Sequence, residues 1–110
     1  MTDDRLHRLA ELAALIRDVR LAELSRHVQS CALIRERLKG LEATMPERSD
    51  VSPAALEAAG LRHSRWAAPR RMALNEHLAT ATAHRLAAET EARAAFGRAQ
   101  VLDRLRNTKR

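Results

Sequence analysis

The 110-residue chain has no Tyr, one Trp (Trp66) and one Phe (Phe96). Aromatic and branched aliphatic side chains fill most compact cores, so a thick globular core is excluded at this length. Val, Ile and Thr are also few, and the alternation of a half-buried strand develops nowhere. One cysteine, Cys31, excludes an intramolecular disulfide. It lies among apolar positions, which predicts a small buried hydrophobe rather than a reactive thiol. Three glycines are scattered at 40, 60 and 97, so there is no glycine-rich phosphate loop. No apolar run approaches a membrane span, and the start MTDDRLHRLAELAALIRDVR is too charged for a signal peptide. These features predict one cytoplasmic domain over residues 1–110.

What is present is helix-forming. Hydrophobic residues make up 45% of the chain, mostly Ala and Leu, and charged residues 31%. Ala, Leu, Arg and Glu lose little side-chain entropy in a helix. The net charge is +6, and only Lys39 and Lys109 among the 20 basic residues are not Arg. A basic chain suggests an acidic partner: nucleic acid, a membrane surface or an acidic protein. Compositional bias explains the Arg excess equally well. The arginines alternate with acids and form no block, which weighs against nucleic acid.

Spacing predicts an all-α fold, a long antiparallel two-helix coiled-coil hairpin. The first helix is expected over 3–44, with Thr2 as N-cap and Asp3 and Asp4 at the positive end of the dipole. Its apolar stripe reads Leu6, Leu9, Leu12, Ile16, Val19, Leu24, Val28, Cys31, Ile34, Leu38 and Leu41, in steps of three to five. Gly40 offers an earlier end. The stretch MPERSDVSP predicts a loop over 45–52, and Ser52-Pro53 reads as an N-cap followed by Pro at the first helical position. A second helix is expected over 53–107, kinked or broken near Pro69, whose ring removes a hydrogen bond and crowds the preceding turn.

From Leu74 the second helix repeats in sevens: Leu74, Leu78, Ala81, Arg85, Ala88, Ala92, Ala95, Ala99, Leu102. Folding about the loop pairs Ile16 with Ala81, Leu9 with Ala88, Leu24 with Leu74 and Cys31 with Trp66. Large residues of one helix then meet small ones of the other. In that register Phe96 to Arg110 project beyond the first helix. So thin a hairpin buries little surface, which predicts stabilisation by a partner or by self-association.

The residues give no sign of catalysis. No Ser-His-Asp or Cys-His spacing stands out, and two helices build no deep pocket to tune a carboxylate. His77 and His84 share a face that His7 could approach, but no Cys and no His-x-x-x-His pair joins them. No metal and no cofactor are expected, and the chain is not read as an enzyme. Arg62, Arg65, Arg70 and Arg71 surround Trp66. They form a basic patch able to stack bases or meet an acidic protein. The plainer reading has Trp66 filling the seam and the arginines solvated.

The stretch RLAAETEARAAFGRAQVLDRL (85–105), opposed by a leucine stripe in a basic hairpin with paired termini, resembles the FliJ and YscO type proteins of flagellar and type III secretion export. The chain is shorter than typical members, and Pro69 departs from their straight second helix. The resemblance implies a stalk whose termini enter the pore of a hexameric export ATPase, with links to the export gate and to chaperones. It makes Leu6, Leu9, Phe96, Arg98, Leu102 and Leu105 the partner-binding end. Two other readings stay open: a nucleoid-type nucleic-acid-binding module, and a homodimer in which two hairpins make a four-helix bundle.

Overall fold

The computed structural model describes residues 2–42 and 52–108. It contains two helices, α1 (Thr2–Glu42) and α2 (Pro53–Thr108), packed as a hairpin only 14 Å across its shortest axis. At 1.5 Å per residue, α1 is about 60 Å long and α2 about 85 Å. Residues 45–51 of the loop expected over 45–52, the helix end at 43–44 and the Thr2 side chain lie outside the described residues.

Local signals set the helix ends. Asp3 and Asp4 occupy the first turn of α1, and Lys39 the last. Helix α1 runs through Gly40, whose backbone has no positive φ. At the start of α2, the Ser52 hydroxyl oxygen accepts from the Ala55 N–H at 3.2 Å. The Ser52 carbonyl accepts from Leu56 N–H at 3.0 Å, and Pro53 is the first helical residue, where a missing N–H is harmless.

Pro69 does not break α2, which is helical from Pro53 through Thr108. Proline has no N–H for the Arg65 carbonyl, and its ring crowds the turn behind it. The Arg70 guanidinium donates to the Trp66 carbonyl at 2.8 Å, adding a hydrogen bond in the turn that the ring disturbs.

The heptad seam of α2 is where its spacing places it. Ala88, Ala92, Ala95 and Ala99 are buried, and Leu74, Leu78, Ala81, Arg85 and Leu102 are half-buried. Ala67 extends the seam toward the loop at 0% exposure. In α1, Leu24, Cys31, Ile34, Leu38 and Leu41 lie in the seam as their spacing suggests. Cys31, at 1%, is the most buried of them.

The N-terminal half of α1 departs from the expected stripe. Leu9, Leu12, Ile16, Val19 and Val28 are exposed, while Ala10 and Ala13 are buried and Arg17, Arg20 and His27 half-buried. The seam therefore runs through positions beside the leucines, and small residues meet small ones. Alanine on both helices lets the backbones approach closely, whereas Leu or Ile opposite Ala would hold them apart. The long arms of Arg17 and Arg20 cover apolar surface while their charged heads stay at the edge. The Arg20 guanidinium lies 3.2 Å from Glu23 and 3.7 Å from Glu91. That last contact is the only ion pair crossing between the helices among the described residues.

The register differs as well. Leu9 shares a groove with Leu102, and Ile16 shares it with Ala95. Both partners lie about four helical turns further along α2 than the expected Ala88 and Ala81. Consistent with this, the His27 and His84 rings meet edge-on at 5.7 Å, and Phe96 lines a groove with Ala10, Glu11 and Ala14. The expected overhang of Phe96 to Arg110 beyond α1 is thus corrected. The projecting segment is at the other end, where residues 53–62 precede His63, the partner of Leu41 near the end of α1. Trp66 does not fill the seam beside Cys31: it is 49% exposed, and Ala67 holds the seam position.

Candidate functional site

Packing is uneven along the hairpin. Toward the loop the seam holds Cys31, Ile34, Leu38 and Leu41 of α1 and Leu74 and Leu78 of α2, while Leu24 lies nearer the termini, in a groove with Ala92. Toward the termini it holds mainly alanines and arginine arms. Fully burying a Leu or Ile side chain stabilises by roughly 1.5–3 kcal/mol, so most of the apolar stabilisation lies in the loop half. The terminal half keeps its large aliphatics outside.

Apart from Leu21, the exposed aliphatics of this half of α1 share one face. On α1, Leu9, Leu12, Ile16 and Val19 follow one another in steps of three and four, with Leu15 beside them. On α2, Arg98, Val101, Leu102 and Leu105 border the same side by their helical positions. Leu9, Leu12 and Ile16 line one groove together with Ala13, Ala95, Arg98 and Leu102. Leu12 is 53% and Val19 57% exposed; Val101 and Leu105 are about half exposed. An unpartnered run of large apolar side chains, bordered by charge, is the mark of an interaction face.

Leu9, Arg98 and Leu102, three of the six residues implied as partner-binding, meet in this groove. Leu105 is exposed one turn beyond Leu102, and Leu6 is half-buried in the seam. Phe96 is elsewhere. It lies on the opposite face of the hairpin, in grooves with Glu11, Ala14, Leu21 and Gln100. The six lie at the end where the termini pair, Leu9, Arg98 and Leu102 on one face and Phe96 on the other. The residues that sequence reasoning left out of the site are Leu12, Ile16 and Val19. Their three-four spacing is plain in the sequence, but the same spacing suits a stripe that faces the internal seam.

The basic patch is exposed along α2. Arg62, Arg65, Arg70 and Arg71 all face solvent. The Arg70 guanidinium lies 4.4 Å from the centre of the Trp66 ring, and the His63 ring packs 5.6 Å from that ring. One face of the indole is thereby covered by a cation of the same chain.

The histidines do not converge. His7 pairs with Glu11 at 2.9 Å on its own helix, His84 meets His27, and His77 is exposed. Among the described residues no group of three or more His, Cys, Asp or Glu is placed to hold a metal. No helix of the described residues is long and apolar enough to cross a membrane.

Comparison of the chain with protein-family models, with curated proteins and with solved structures finds no match.

Proposed function

We propose that this chain is a non-enzymatic protein-interaction hairpin, acting in the cytoplasm as a stalk or escort for a flagellar or type III export ATPase. The observation that carries the interaction reading is the placement of Leu9, Leu12, Ile16 and Val19 outside the hairpin, at the end where the termini pair. The export assignment rests on the resemblance to FliJ and YscO type proteins. The mechanism is steric and electrostatic. The aliphatic face docks on an apolar surface such as the collar of a hexameric ring, and Arg98 and its neighbours steer association toward acidic residues there.

Tagged protein, captured from its own cells with and without nuclease, tests this reading. Retention of a hexameric export ATPase or an export-gate component after nuclease, and its loss from a Leu102→Asp/Leu105→Asp variant, is the expected result. Unchanged ATPase binding by that variant sinks the stalk assignment.

The exposed arginines around half-exposed Trp66 favour a second reading, a nucleic-acid-binding module. Binding would then fall steeply with salt, because each neutralised phosphate releases counterions. Recovery of nucleic acid alone, with nothing left after nuclease, selects it.

A further inference from the structure

The exposed stripe on α1 has a property that a face for an unrelated partner does not need: it is complementary to itself. Read outward from its centre, it runs Arg5, Leu9, Leu12, Ile16, Val19, Glu23. The steps are four, three, four, three, four, the same in either direction. Laid antiparallel on a second copy, Leu12 faces Ile16 of that copy and Leu9 faces its Val19. At each end Arg5 then faces Glu23 of the other chain.

We propose that two hairpins pair through this stripe, α1 on α1, as an antiparallel two-fold dimer centred between Leu12 and Ile16. Three observations carry the choice of a second copy as occupant. First, the four central side chains are aliphatic and all exposed, so each copy supplies what the other needs to cover. Second, the charges at the two ends are opposite. Arg5 is exposed and makes no ion pair among the described residues. Glu23 sits with Arg20 and Glu91, two carboxylates around one guanidinium, which leaves a negative charge for an incoming Arg5. Third, Arg98 is the only charged residue lining the groove, and it lies on the α2 side. The pairing is therefore centred on α1 and not on the midline of the hairpin.

A two-fold interface is isologous: each contact occurs twice, so every favourable pair and every clash is doubled. Four half-exposed aliphatics per chain make a small surface, and the dimer is reversible and concentration-dependent. The proposal rests on reading this stripe as a docking face: in the free chain a second copy covers it, and a collar surface competes for the same side chains.

Sedimentation of the full chain from about 1 μM to about 200 μM tests it, with circular dichroism on the same samples. The expected result is a monomer–dimer equilibrium that Leu12→Asp/Ile16→Asp abolishes. Arg5→Glu alone weakens the dimer about tenfold, through two exposed ion pairs turned to repulsion. Adding Glu23→Lys to Arg5→Glu restores it, and this rescue is specific to the antiparallel homotypic register. A chain that stays monomeric throughout, or a double charge swap that fails to recover the dimer, overturns the proposal. Either outcome leaves the export-partner reading intact, because the capture experiment decides that one separately. Capture of an ATPase by a strictly monomeric chain makes the foreign protein the occupant of the stripe.

Discussion

The Nε2 of His63 lies 3.1 Å from the carbonyl oxygen of Leu41, joining the last turn of α1 to the flank of α2. A carbonyl only accepts, so the ring donates. One side chain thus ties the C-terminal part of α1 to α2. Ten residues of α2 precede that point.

Replacing His63 with Ala removes this hydrogen bond between the helices. The expected loss is about 0.5–1.5 kcal/mol, read as a lower urea midpoint with an unchanged slope. Faster amide exchange concentrated at residues 38–42 identifies the lost bond to Leu41 as the cause.

The alanine seam and the aliphatic stripe respond oppositely to size. Ala92→Leu forces a large side chain between closely approaching backbones and is expected to destabilise by roughly 1–3 kcal/mol. Ile16→Ala, at a position 43% exposed, is expected to cost well under the 2–5 kcal/mol of a buried Ile truncation in the monomeric chain. Thermal melts at low concentration separate the two. Equal losses would return Ile16 to the internal seam.

Pro69 strains α2 at a place where nothing else requires a proline. Pro69→Ala restores an N–H for the Arg65 carbonyl and is expected to raise stability by roughly 1–3 kcal/mol. Arg70→Ala removes the guanidinium bond to the Trp66 carbonyl and is expected to cost about 1 kcal/mol. In a double-mutant cycle the Arg70 cost shrinks once Pro69 is gone, because the backbone then supplies more of its own bonds. Strict additivity argues that Arg70 acts through the Trp66 ring alone.

Arg85 occupies a seam position with its Nε buried and without a hydrogen-bond partner among the described residues, while its outer nitrogen meets Glu89 at 2.8 Å. Arg85→Leu fills the same space without the orphaned polar atom. It is expected to stabilise the hairpin by about 1 kcal/mol, measured by denaturant titration. A charged seam position also disfavours slipped pairings, so the same variant is expected to populate more than one oligomer in sedimentation.

Cys31 offers a check on the seam. At 1% exposure its thiol is expected to react with an aromatic disulfide reagent only when the hairpin opens. The labelling rate then follows the loss of helicity with denaturant. Fast labelling of the folded chain places Cys31 outside the seam.

The sequence by itself determined the helices. Ser52-Pro53 opens α2 because a hydroxyl acceptor and a missing N–H both suit a first turn. The alanine heptad from Ala81 to Ala99 faces inward as its steps of four and three require. At Pro69 the sequence allows a kinked as well as a broken helix, and with no turn residues around the proline the long seam on either side keeps α2 continuous. In the N-terminal half of α1 two stripes run side by side with nearly the same spacing, one of leucine and isoleucine, one of alanine and arginine. Periodicity reports that a stripe exists and not which way it points. The tertiary structure decided that. An alanine face on α2 admits a second alanine face at short range, and the larger stripe is left outside as a candidate site. The register was decided there too, because a connection of ten residues does not fix where two helices meet, whereas the His63–Leu41 bond, the His27–His84 contact and the Arg20–Glu91 pair do.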